Sequence, residues 1–178
     1  MVAGPRDRQA PARRPHHFYA GSAQQSAMTE GADPTHEAGA AFEKYVVGLF
    51  GGDFRILQWM GQGASREDID AGPDLVVEHL PTGTVFGVEC KYRATLFKGR
   101  LGWAKEYQPA KYRRYAEATG RRVFVVIGVG GSPGRPDYLY CLPLWQAGRN
   151  RLDPVALKRY RRGPRRKFAY DAAAGGLR

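Results

Sequence analysis

The sequence predicts a one-domain α/β fold, a mixed β-sheet flanked by helices in the order α-β-β-β-α-β. Three observations carry this. Two apolar strand patterns, 74–80 and 84–93, flank the turn residues Pro81, Thr82 and Gly83 and so read as a hairpin. A nearly continuous apolar run at 121–129 follows an amphipathic helical pattern at 108–119, as expected of a strand covered on both faces. The chain has 178 residues, enough for one sizeable core.

Residues 1–33 are rich in Pro, Gly, Ala, Arg, Gln and Ser without periodicity and read as a disordered segment. Met28, just before the first ordered pattern, is an alternative start. The α/β domain spans 34–145. Its first helix begins at Pro34-Thr35, presents Phe42, Val46, Leu49 and Phe50 at helical spacing, and ends at Gly51-Gly52. "FRILQW" (54–59) is a strand, and 61–73 is a polar, Gly-rich connection. After the hairpin, 94–107 is a loop in which Arg93, Lys98, Arg100 and Lys105 interleave with Phe97, Trp103 and Tyr107. The helix at 108–119 tolerates Pro109 in its first turn and stops at Gly120. A strand at 137–144 closes the domain. In the basic extension, 146–178, a short helix is expected after Asp153-Pro154, and "RRKFAYD" (165–171) is expected as a last edge strand.

The net charge is +11, from 28 Lys and Arg against 17 Asp and Glu. Residues 149–178 hold ten of those cations and two acids, so this stretch carries +8. Such a balance favours a polyanionic partner, nucleic acid before membrane. Cys90 and Cys141 lie in apolar runs without a Cys-x-x-Cys pattern and read as buried free thiols. With no long apolar run and no signal-peptide core, the expectation is a cytoplasmic protein with no membrane partner.

The chemistry centres on "GVECKY" (87–92). Strand side chains alternate, so Glu89 and Lys91 share one face while Phe86, Val88, Cys90 and Tyr92 share the other. Hairpin pairing brings Asp74, fixed at its corner by Pro73, near Glu89. Converging carboxylates are tolerated where a cation sits between them, and hard oxygen donors suit Mg²⁺. A cross-strand salt bridge on a wet sheet face would give the same spelling.

Gly72-Pro73-Asp74 followed by Val88-Glu89-Cys90-Lys91 resembles the PD-(D/E)xK nuclease superfamily, whose restriction-endonuclease-like core has the element order read above. Gly39 and Glu43 resemble the first-helix motif of its RecB-like and Cas4-like branch, and Gln108 and Tyr112 a motif on the helix after the Glu-x-Lys strand. "DAGPD" (70–74) resembles the corner of Mrr-like restriction enzymes. Two cysteines are too few for the iron–sulfur cluster of Cas4-like enzymes.

The resemblance implies that Asp74 and Glu89 are metal ligands, with the Cys90 carbonyl a third and Glu43 joining directly or through water. It implies that Lys91 is the catalytic lysine and that Gln108 and Tyr112 lean toward the metal or the scissile phosphate. His36 is a further candidate ligand, and Asp70 an outer one beside Glu67 and Asp68. Lys98, Arg100, Lys111, Tyr112, Arg114, Arg161, Arg162, Arg165 and Arg166 are the candidate nucleic-acid contacts. The expected activity is Mg²⁺- or Mn²⁺-dependent hydrolysis of DNA phosphodiester bonds, endo or exo. The expected partners are DNA, a second copy in a homodimer, and a separate helicase or other DNA-processing protein. A non-catalytic nucleic-acid-binding subunit on the same fold is the alternative.

Overall fold

The structure is a computed structural model describing residues 1, 34–61, 72–96 and 99–178. The expected disordered segment 1–33 with Met28, the acids Glu67, Asp68 and Asp70, and Phe97 and Lys98 fall outside the described residues, apart from Met1.

Helix α1 (Pro34–Val47) precedes the strands β1 (Phe54–Trp59), β2 (Leu75–His79) and β3 (Thr84–Arg93). These form an antiparallel meander in which Leu75 pairs with Val88 and His79 with Thr84. The hairpin is therefore the one the sequence predicts. A two-residue strand, β4 (Leu101–Gly102), interrupts the expected loop, and α2 (Gln108–Thr119) follows. The chain then enters β5 (Arg122–Val129), parallel to β3, and returns antiparallel as β6 (Tyr138–Pro143). The main sheet has the order β1-β2-β3-β5-β6-β8, with β8 at Arg161–Arg162. This is the predicted mixed sheet, with its one parallel pair made across a helical crossover.

Side-chain alternation divides the core in two. Phe86, Val88 and Cys90 of β3, with Phe124 and Val126 of β5, pack beneath Phe42 and Val46 of α1. Val123, Val125 and Ile127 of β5 pack on the other face with Tyr112 of α2, Trp103 and Leu142. The run at 123–129 is apolar throughout because both of its faces are covered.

The C-terminal stretch is ordered against this sheet. The expected helix after Asp153 is α3 (Pro154–Leu157), with the Asp153 carboxylate accepting from the Val155 N–H at 2.8 Å. The expected edge strand at 165–171 is corrected: Arg161 and Arg162 pair with β6 instead. Tyr170–Asp171 (β9) pairs with Gly176–Leu177 (β10) in a separate hairpin, while β7 (Arg151–Leu152) pairs with β4. The reason is local. Phe168 and Leu177 enter the α1-side core, and the Phe168 N–H donates to the Leu49 carbonyl at 2.9 Å, so the chain bends inward past Gly163-Pro164. Among the described residues no helix is long and apolar enough to cross a membrane.

Candidate active site

The hairpin places its three charged groups together. Glu89 and Lys91 point toward the α2 side of β3, and Asp74 stands one residue before β2, opposite them by register. Gly87 makes this approach possible: a Cβ there would collide with the Pro73 ring and press on Tyr115. Pro73 therefore lies directly across β3 and delivers Asp74 to it. The Asp74 Oδ2 accepts from the Cys90 N–H at 2.7 Å and lies 3.8 Å from Lys91 Nζ. Lys91 Nζ also makes a direct ion pair with Glu89 Oε1.

Glu89 is 1 % exposed. Its Oε1 accepts a second bond, from the Tyr112 hydroxyl at 2.5 Å, whereas its Oε2 is buried without a hydrogen-bond partner. Burial, and then the Asp74 charge, push the Glu89 carboxyl up to about 7; Lys91 and Tyr112 pull in the opposite direction. Desolvation works against the Lys91 charge, but the Glu89 and Asp74 carboxylates outweigh it and hold the ammonium above its ordinary range. Tyr112 is likewise pushed up, by burial and by the Glu89 charge, so its hydroxyl stays a donor.

Lys91 opens into a cleft of roughly 660 Å³ between the N-terminal halves of α1 and α2, lined among others by Gly39, Glu43, Arg93, Lys105 and Gln108. Glu43 faces this cleft as the sequence suggests, and its Oε2 accepts from Trp59 Nε1 at 3.1 Å. Burial and the Asp74 charge raise its carboxyl. His36 is exposed near the start of α1 and lies within electrostatic reach of Glu43. Gln108 reaches the cleft wall, with its Oε1 accepting from the Lys105 N–H at 2.8 Å.

Other candidates land elsewhere. Tyr112 is buried at 2 % exposure and holds Glu89, so it is not a nucleic-acid contact. Arg162 is also corrected: its guanidinium stacks 3.7 Å from the Phe168 ring and donates to the Arg166 and Lys167 carbonyls. Trp103 is fully buried, with Nε1 on the Arg149 carbonyl, and is unavailable for base stacking. Arg93 is spent on the carbonyls of Tyr92, Gly102 and Trp103. Arg100, Arg114, Arg161, Arg165 and Arg166 are exposed, with Arg161 over the Tyr138 ring. Lys111 is half-buried, 5.3 Å from the Tyr112 ring centroid. Sequence reasoning missed Trp59, which orients Glu43, because nothing in a strand-end tryptophan pairs it with a particular helix residue. It also missed Gly87, although a glycine inside a strand is a signal of close approach.

Among the described residues no three His, Cys, Asp or Glu side chains form a cluster able to hold a metal by themselves. The carboxylate pair nevertheless fits a cation. Its Oε2 is an unsatisfied buried acceptor, and an ammonium already sits against both acids.

Sheet order and the helical crossover between β3 and β5 make a mixed six-stranded α/β sheet flanked by helices, consistent with a restriction-endonuclease-like fold, with the Asp74/Glu89/Lys91 corner on β2 and β3. Among solved structures, the chain is similar to Hjc, a Holliday junction resolvase from the archaeal hyperthermophile Archaeoglobus fulgidus. The two share 19 % identity and a TM-score of 0.48, over 67 % of this chain and 91 % of Hjc. No family model and no curated protein sequence matches the chain.

Proposed function

We propose that this chain is a divalent-metal-dependent DNA nuclease. The supporting observation is the corner itself: two carboxylates from adjacent strands meet one lysine at the mouth of a cleft, with a buried Glu89 oxygen left without a partner. Asp74 and Glu89 would hold Mg²⁺ or Mn²⁺, with the Cys90 carbonyl and Glu43 completing the set. A bound ion supplies acidity to water and neutralises charge gathering on a phosphoryl group.

The chain's own residues define the rest. Tyr112 fixes Glu89 by donating to Oε1, which leaves Oε2 buried without a hydrogen-bond partner. The Cys90 amide fixes Asp74 in the same manner. Lys91 stays protonated at neutral pH, so it acts by charge and hydrogen-bond donation, orienting the attacking water or offsetting the phosphorane-like charge. It is not a base. Trp59 holds Glu43 at the cleft edge. Lys105, Arg100 and Arg114, exposed around the cleft and on α2, suit phosphate contacts.

The test is incubation of plasmid, linear duplex, single-stranded and branched DNA with Mg²⁺ or Mn²⁺. Cleavage by the wild type that is lost in Asp74→Ala and Lys91→Ala is the expected outcome. Intact DNA throughout, or undiminished cutting by either variant, overturns the assignment. One observation favours a non-catalytic DNA-binding subunit instead, since Lys91 already compensates the two acids. Calorimetry separates the two readings: a binder shows no Mg²⁺ site that Asp74→Ala removes.

A further inference from the structure

A second cleft, of roughly 610 Å³, lies between the 130–137 loop and the 163–166 turn and is lined by Tyr45, Arg135, Asp137, Pro164, Arg165 and Arg166. Its arginines are mounted on ordered backbone. The Arg166 N–H donates to the Gly163 carbonyl at 3.1 Å, and the Tyr45 hydroxyl, on α1, donates to the Pro164 carbonyl. Arg162 donates to the Arg166 and Lys167 carbonyls, and Lys167 Nζ donates to the Gly48 carbonyl at 2.5 Å. The 132–135 turn is closed by mutual backbone bonds between Ser132 and Arg135.

Charge is left over in this cleft. Among the described residues the cations of the ion pairs are Arg55, Lys91 and Arg178, so Arg135, Arg165 and Arg166 have no carboxylate partner. The one acid lining it, Asp137, holds its carboxylate against Gly130, where a Cβ would strike it, and close to Gly131. Three arginines therefore line the cleft against one acid.

The cleft also shares a wall with the catalytic corner. Tyr92, next to Lys91 in β3, donates to the Gly131 carbonyl at 2.9 Å and so ties the 130–137 loop to the catalytic strand. Phe42 stands between Tyr45 and Tyr92, at 5.8 Å and 6.0 Å between ring centroids.

We propose that this Arg135/Arg165/Arg166 cleft is a second DNA contact that takes backbone phosphates away from the bond held at the Lys91 corner. This rests on the nuclease reading for the position of that bond, but not for the binding itself. The contact is made to phosphates, so it adds affinity and register without sequence preference.

The experiment measures anisotropy of a short fluorescein-labelled duplex with the full chain in EDTA, over a series of KCl concentrations. The Arg135→Ala/Arg165→Ala/Arg166→Ala variant is expected to bind more weakly, with the slope of log Kd against log[KCl] reduced by about 2–3, at roughly 0.9 per phosphate contact. The remote triple Arg121→Ala/Arg122→Ala/Arg159→Ala, at the end of β5 away from the 130–137 loop and beside Tyr160, carries the same charge change and is expected to keep the wild-type slope. Arg135→Glu alone, on a folded protein verified by thermal unfolding, is expected to reduce the slope by about 1 or more. An unmoved slope in the cleft variants, or an equal loss in the remote triple, overturns the cleft. DNA cleavage with an unmoved slope rejects the cleft and leaves the nuclease reading standing. A reduced slope without any metal-dependent cleavage does the reverse.

Discussion

Lys91→Met removes the ammonium that bridges Asp74 and Glu89 while keeping most of the side chain's length and its apolar stem. Glu89 is then buried with only the Tyr112 hydroxyl to offset its charge. Breaking a buried pair on one side costs about 3–5 kcal/mol, and the lower end applies here because Glu89 can neutralise by taking up a proton. A loss of about 3 kcal/mol lowers Tm by roughly 6–12 °C in a domain of this size. The deficit depends on pH. The Glu89 carboxyl sits at about 7 in the fold, against an ordinary 4.5. A raised pKa contributes stability below the unfolded value, and that contribution is lost as pH rises through the folded one. In EDTA, wild-type stability from this group should therefore decline as pH rises through about 7. The variant's decline should run on to higher pH, because the charge that emerges has lost its counterion and the carboxyl is held up further. Mg²⁺ should restore Tm in the variant more than in the wild type. Scanning calorimetry with EDTA or Mg²⁺ at about pH 5 and about pH 8 tests this. A Tm deficit equal at both pH values, or one insensitive to Mg²⁺, refutes the reasoning.

Three other outcomes are expected. Tyr112→Phe removes a buried donor to a carboxylate and should cost about 1.5–3 kcal/mol by denaturant unfolding, with DNA cleavage reduced through misplaced Glu89; an unchanged midpoint would show that the bond carries no weight. Trp59→Phe should leave stability within about 1 kcal/mol but release Glu43, weakening Mg²⁺ binding by calorimetry; unchanged metal affinity removes Glu43 from the site. Burial raises both thiols, Cys141 to about 12 and Cys90 well above its ordinary value, so neither should react with a thiol reagent at neutral pH until the chain is unfolded.

Much of the fold was legible because its signals are local. The 108–119 helix is bounded as its own residues dictate, with Pro109 in the first turn and Gly120 in the left-handed conformation at the end. The 84–93 strand announces both its faces by alternation, and the Asp74/Glu89/Lys91 corner follows from one hairpin register. The failures are non-local. Whether Trp103 stacks on a ligand or docks in the core depends on a carbonyl 46 residues away. Arg162 reads as a surface cation because only the inward bend at 163–168 carries Phe168 beneath it. Tyr112 was singled out by spacing, but its duty toward Glu89 exists only once α2 lies across β3.

That last dependence sets an order of assembly. Asp74 and Lys91 lie on one hairpin and can meet as soon as its tight turn closes. Tyr112 and the parallel partner β5 arrive only after a crossover has docked, a slower event because the loop it closes is longer. A nascent chain that has emerged as far as Arg93 would carry the acids and the lysine with Glu89 open to water, titrating as an ordinary glutamate. The acid-and-lysine corner would thus be spelled out before the shelter that tunes it, and pulse-labelled hydrogen exchange during refolding should protect the hairpin amides before those of β5.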